Sequence, residues 1–250
     1  MEFVAPLHGA RFRLFLLSSR WNHGTTSGGD HALRREEELA AALKEARTVI
    51  PEHVTLIVVT KTFPVSDVEI LYRLGERNFG ENRDSEGLSK AEVLPDDVMW
   101  HFQGGIQSNK LRSIVSWSDY IHSLDDLKHA EKISTIAQES GKKQKCFIQI
   151  NLDTAQTNTD RSGIKPTELL GFAFAVSELP GIEIVGVMGV GPINQDPRPA
   201  FAELQRCSQL LQQQIPTAGF ISAGMSGDFQ IAIECGATHV RLGSSILGSR

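Results

Sequence analysis

Lys61 closes the run Val54-Thr55-Leu56-Ile57-Val58-Val59-Thr60-Lys61, which is nearly continuous in aliphatic and β-branched residues. At the end of so apolar a segment an ammonium is partly desolvated, which favours the neutral amine. A neutral lysine can attack a carbonyl to form a Schiff base. The plainer alternative is a strand-end lysine that reaches solvent. Two runs near the carboxyl end carry a complementary chemistry: Gly224-Met225-Ser226-Gly227-Asp228 and Gly243-Ser244-Ser245. Small residues let backbone N–H groups approach an anion, and a helix that starts there adds partial positive charge. The same glycines could equally serve tight turns. Arg241, just before the second run, is either a fixed cation for the same site or one half of an ion pair with a carboxylate at the rim.

These groups meet only if the chain brings distant strand ends together, and its patterning predicts that it does. The first helix is expected over Arg34–Val49, with Leu39, Leu43, Ala46 and Ile50 spaced along one face. The buried run 54–61 follows as a strand covered on both faces. Ser66-Asp67-Val68-Glu69 has the form of a capping box, and Gly75 of a helix end. Further strands are expected over 78–82, 100–104, 120–124, 146–152, 182–188, 218–224 and 239–243. Helices are expected over 109–117, 125–140, 166–179, 199–214 and 227–235. Pro166 and Pro199 suit first-turn positions, and Gly141 and Gly236 suit C-caps. The segment between Asn82 and Pro95 has no clear pattern.

Eight strands alternating with helices in one α/β chain of this length predict a single (β/α)8 TIM barrel. An open doubly wound sheet would carry a glycine fingerprint after its first strand, where this chain has Lys61-Thr62-Phe63-Pro64. In such barrels chemistry gathers at the carboxyl ends of the strands. Those ends hold Lys61, Glu81, Asn82, Gln103, Ser123, Asn151, Met188, Ser222 to Ser226 and Arg241. A phosphate site built by the loops after strands seven and eight recurs in the fold, and closure sets strand eight beside strand one. Lys61 is thus expected near Arg241 and the glycine loops. An aldehyde-reactive lysine beside a phosphate cradle suits pyridoxal 5′-phosphate (PLP), or else a phosphorylated sugar in a Schiff-base aldolase.

Composition narrows the classes. The 250 residues are 40% hydrophobic and 22% charged, with 22 glycines, which excludes a collagen-like, disordered or disulfide-stapled chain. The net charge of −5 and the lack of an arginine-rich run argue against nucleic-acid or membrane-surface roles. Cys146, Cys207 and Cys235 have no CxxC spacing and read as thiols of a reducing compartment, the cytoplasm. The apolar stretch Phe12–Leu17 is short and interrupted by Arg13, unlike a signal sequence. Residues 1–30 are expected to form a poorly ordered leader, and residues 31–250 the barrel domain.

Six blocks then fall in order: Val59-Thr60-Lys61-Thr62, Phe79-Gly80-Glu81-Asn82, Trp100-His101-Phe102-Gln103-Gly104-Gly105-Ile106-Gln107-Ser108-Asn109-Lys110, Gln149-Ile150-Asn151, Gly224-Met225-Ser226-Gly227-Asp228 and Val240-Arg241-Leu242-Gly243. Over about Arg34 to Gly248 the chain resembles the PLP homeostasis proteins, which look like the N-terminal barrel of alanine racemase without its second domain. The resemblance implies that Lys61 holds PLP as an internal aldimine and that Asn82 lies close to the cofactor ring. It assigns Ser222, Ser226, Gly243 and Ser244 to the phosphate, and Arg241 to the pyridine nitrogen. It implies a non-enzymatic cofactor carrier or buffer, with PLP as its ligand and apo forms of PLP-dependent enzymes as recipients. A monomer is expected, because the racemase's second domain and its dimer-borne catalytic group have no counterpart here. The alternative is an amino-acid racemase or decarboxylase of low activity. Two positions depart from the family pattern: Gln103 stands where a β-branched aliphatic is usual, and Arg161 where lysine is frequent. His101 is expected to be a hydrogen-bonded core residue, Trp100 and Phe102 packing, and Met188 and Met225 wall contacts.

Overall fold

The computed structural model describes residues 26–153 and 162–249. Arg161 and the leader before Thr26 lie outside the described residues. The elements run α1 (Thr26–Val49), β1 (Thr55–Val59), α2 (Val65–Arg73), β2 (Asn78–Glu81), α3 (Asp84–Ala91), β3 (Met99–Phe102), α4 (Leu111–Trp117), β4 (Tyr120–Leu124), α5 (Leu127–Glu139) and β5 (Gln144–Gln149). A 3-10 turn, Pro166–Glu168, leads into α6 (Leu169–Ser177), followed by β6 (Ile182–Met188), α7 (Arg198–Gln214), β7 (Phe220–Ser222), α8 (Phe229–Glu234), β8 (His239–Leu242) and α9 (Ser244–Leu247). The eight strands close a barrel in sequence order. The closing pair is parallel, with Thr55 opposite His239 and Val58 opposite Leu242. This is the expected (β/α)8 barrel.

Strand residues alternate between two packing layers, as a period of two requires. Leu56, Val58, Phe79, Ile121, Ile148 and Val240 join helix residues such as Leu39, Leu71, Leu111, Ile133 and Leu204 in the core between strands and helices. The barrel interior differs from the branched-aliphatic filling usual for the fold. It holds Phe147, Val185 and Met188 together with buried His101, His122 and His239. His122 stacks on Phe147 at 4.3 Å between ring centres, and His101 on Tyr120 at 4.7 Å.

Several boundaries moved for identifiable reasons. α1 reaches back to Thr26, inside the segment expected to be leader. α2 starts from Pro64 in an extended conformation without a side-chain cap, so the capping box at Ser66 does not form. Gly75, Gly141 and Gly236 do take positive φ, as helix ends in the left-handed region should. α3 fills the segment without a pattern. It buries Gly87 and Lys90 rather than an apolar stripe, which left no periodicity to detect. Among the described residues, no helix is long and apolar enough to cross a membrane.

Candidate functional site

At the carboxyl ends of the strands lies a cavity of about 520 Å³, a size typical of small-molecule sites. Lys61, Asn82, Ser226, Arg241, Gly243 and Ser244 all line it, with Gln103, Met188 and Met225. The fold therefore gathers residues up to 183 positions apart, the separation of Lys61 from Ser244. Val59, Phe63 and Val190 complete the apolar wall. They carry no chemical signal in the sequence, and only knowledge of the strand phase would have placed them there.

Lys61 sits one residue past Thr60, in the turn that follows β1. Thr60 N–H donates to Gly80 O at 2.9 Å, and Phe63 N–H to Thr60 O at 3.0 Å. Thr62 takes positive φ and its N–H donates to the Glu86 carboxylate. The turn thus points away from the apolar strand, and Lys61 is exposed. That corrects the expected desolvation: β1 ends before the lysine, and the barrel wall does not cover it. Beneath the turn, Lys90 Nζ pairs with Glu81 Oε1 at 2.5 Å and donates to Thr60 O at 2.8 Å. Burial raises the Glu81 carboxyl above its ordinary range, and the bonds from Lys90 and Thr60 oppose that. Glu81 therefore ties β2 to α3 and stays out of the cavity.

Asn82 and Gln103 face the cavity from the ends of β2 and β3. A side chain at Gly104 would run into the Asn82 carbonyl, so glycine is what allows the two strand ends to pass this closely. Asn82 Oδ1, an acceptor, and Gln103 Nε2, a donor, are both buried without a partner among the described residues. Buried polar atoms are rarely left unpaired, and these two complement a polar ligand.

The two glycine loops face them. Gly224 has φ +90°, and a Cβ there would lie 2.7 Å from Phe229 Cα, so this glycine serves the turn. Gly227, by contrast, has open space around it and borders the cavity. Ser226 Oγ and Ser245 Oγ are 3.1 Å apart, joining the loops, while Met225 N–H donates to Asp228 Oδ1 at 2.6 Å. The helices that follow are short, α8 of six residues and α9 of four. Their aligned dipoles are correspondingly small, so the hydroxyl and backbone N–H groups of the loops are the main attraction for an anion there.

Arg241 is buried on β8. Nη1 donates to Ser222 Oγ at 2.8 Å and Nη2 to Gly189 O at 3.1 Å. Burial pushes its guanidinium down to about 10, still a cation at neutral pH, and no rim carboxylate forms an ion pair with it among the described residues. Ser222 is fully buried and does not line the cavity. Its hydroxyl points into the barrel, to Arg241 and to His122 Nδ1 at 3.0 Å, which corrects its expected place among the phosphate contacts. Ser123 is likewise turned away, donating to Gly104 O at 2.7 Å, and Asn151 Oδ1 accepts from Asp153 N–H at 2.9 Å. His122 was not singled out from sequence. A histidine in phase with the barrel interior, next to the strand carrying His101, was the available signal.

The arrangement offers an amine at the rim, a fixed guanidinium in the floor and small polar residues across the opening. Residues 35–250 match the model of the alanine racemase N-terminal domain family. The chain is 33% identical to the pyridoxal phosphate homeostasis protein of Mycobacterium bovis, over 88% of this chain and 92% of that one. The structure of PipY of Synechococcus elongatus with PLP bound aligns with a TM-score of 0.76 at 34% identity, covering 84% of this chain and all of that one. Alanine racemase of Clostridium difficile aligns with a TM-score of 0.73 at 14% identity, covering 86% of this chain and 57% of that one, a likeness of fold.

Proposed function

The chain belongs to the alanine racemase N-terminal domain family, among its pyridoxal phosphate homeostasis proteins, and on that premise we propose that it binds PLP and serves in PLP homeostasis. The observation that carries this reading is the single cavity that joins Lys61, Arg241 and the loops after β7 and β8. Lys61 would hold the cofactor through its aldehyde at the rim, the amine being the group there that can bond a carbonyl carbon. Ser226, Gly243 and Ser244 hold the phosphate, and Asn82 lies against the ring. Arg241 faces the pyridine nitrogen, while Ser222 supports Arg241 from below.

Bound PLP supplies an electron sink for carbanions. Arg241 weakens that sink, because a guanidinium has donors and no acceptor and leaves the ring nitrogen unprotonated. Among the described residues that line the cavity, Lys61 and Arg241 are the ionisable ones. A racemase needs an acid or base on each face of the cofactor, and the lining offers Lys61 for one. We therefore favour a carrier or buffer over an enzyme, with apo PLP-dependent enzymes as recipients. The three free thiols suit a reducing cytoplasm, and a monomer is sufficient for binding.

Absorbance spectroscopy tests the reading. Wild-type protein loaded with PLP should show a band near the edge of the visible range, and Lys61→Ala should abolish it. Absence of the band in the wild type would sink the proposal. Steady turnover of an amino acid, lost in Lys61→Ala, would replace the carrier with a weak racemase or decarboxylase.

A further inference from the structure

The barrel interior contains a continuous hydrogen-bond chain that begins at the cavity floor and links five strands, β8, β7, β4, β3 and β2. Arg241 Nη1 lies 2.8 Å from Ser222 Oγ, and Ser222 Oγ lies 3.0 Å from His122 Nδ1. His122 Nε2 lies 2.9 Å from His101 Nδ1, and His101 Nε2 lies 3.1 Å from Asn78 Oδ1. Ser222, His122 and His101 are all fully buried.

The two ends dictate the direction of every proton between them. A guanidinium only donates, so Ser222 Oγ accepts from Arg241, and at the far end the Asn78 carbonyl oxygen only accepts, so His101 carries its proton on Nε2. A neutral His101 is then bare on Nδ1 and accepts from His122 Nε2–H. By the same logic a neutral His122 is bare on Nδ1 and accepts the Ser222 hydroxyl proton. Both rings are neutral: burial holds each well below the ordinary histidine range, and His239 pushes His101 the same way, as His101, Arg241 and His239 push His122.

We propose that His122, backed by His101, is a positioning residue for the cavity, which fixes the Ser222 oxygen as an acceptor and thereby holds the Arg241 guanidinium in place. The chain is one-directional, with each donor polarised by the cation at its head, and such chains strengthen cooperatively. Gly189 O secures the other nitrogen, Nη2, so the guanidinium is pinned at two points before any ligand arrives. A preorganised cation binds without an ordering cost. The link to PLP rests on the function proposed above, whereas the pinning of Arg241 belongs to the ligand-free protein and can be tested there.

In cofactor-free protein, ¹⁵N NMR should find both His101 and His122 protonated on Nε2 and bare on Nδ1. Protonation of either ring on Nδ1 would overturn the proposal. Hydrogen exchange of the Arg241 side chain should quicken about tenfold in Ser222→Ala and in His122→Phe, the loss expected for one hydrogen bond. His122→Asn, which keeps an acceptor near the Nδ1 position, should restore protection. Equal exchange in wild type and Ser222→Ala, in folded protein of matching circular dichroism, would refute the pinning. In loaded protein, Ser222→Ala and His122→Phe should each raise the PLP dissociation constant about tenfold, and the double variant no further, since coupled residues are non-additive. Additive losses would count against the chain. Failure of the wild type to bind PLP, with the predicted tautomers and exchange intact, would overturn the functional reading and leave the positioning role standing.

Discussion

A buried amide nitrogen without an acceptor, such as Gln103 Nε2, costs a folded chain about 1–3 kcal/mol. A polar residue kept at such a cost in a cavity wall points to a ligand that completes it. Gln103→Leu should therefore stabilise the ligand-free protein by about 1 kcal/mol, visible as a raised Tm. It should also weaken PLP binding several-fold in a titration. Unchanged affinity would mean that the amide does not face the bound molecule. Lys61 differs in being exposed at the rim of the cavity, where the proposed role would require it to meet an aldehyde. Arg241 combines the opposite traits, being buried, charged and held by neighbours. Among these residues Lys61, Arg241 and the small residues of the loops were legible from type and position. Ser222 was legible as a polar strand end but not in its direction, because a hydroxyl at that position can point up to the cup or down into the barrel.

At the scale of elements, the turn after β7 illustrates how one residue shapes a loop. Gly224 adopts φ +90° and packs against Phe229 and Ala232 of α8. Its carbonyl also accepts the Arg241 backbone N–H at 2.9 Å. Gly224→Ala is expected to lower stability by about 1–3 kcal/mol through strain and overpacking, read by denaturant unfolding. It should weaken PLP binding as well, because the same turn sets Ser226 and Gly227 at the cavity. Wild-type stability would show that the loop can relax, against the tight approach described here. Helix and strand assignments were readable because core-facing positions repeat with periods of 3.6 and 2. α3 escaped because its inward contacts are Gly87 against Trp117 and Lys90 against Glu81, neither of which marks an apolar stripe.

The whole molecule carries a pH dependence that arises from its histidine-filled interior. Burial drives His239 down to about 4, with Arg241 adding repulsion; His101 and His122 shift in the same direction. An unfolded chain protonates these rings near 6.5, while the folded chain resists until much lower pH. The unfolded state therefore binds more protons between those values, and stability falls as pH drops from about 6.5 toward 4. Above 6.5 the contribution is fully present. For His239 alone the loss amounts to roughly 3 kcal/mol across that window. Glu81, Asp119 and Asp125, raised by burial, oppose the trend, so a variant comparison isolates the histidine part. His239→Asn should flatten the decline of the unfolding free energy between pH 6.5 and 4. An identical slope in wild type and variant would contradict it.

The amino-acid sequence alone determined the alternation of strands and helices, the count of eight, and the residues that stand at the strand ends. Those follow from local periodicity and from covalent order, which a linear chain carries in full. It also placed Lys61 and the glycine loops at one face, because in a closed parallel barrel every strand presents its carboxyl end to the same side. Tertiary structure decided which way each strand-end side chain turns and what it touches. Ser222 and His122 stand 100 positions apart in the chain yet share a hydrogen bond, through a register set by how the strands stagger around the barrel. That stagger belongs to the closed sheet as a whole, and so the fixing of Arg241 from beneath emerges only when the barrel is complete.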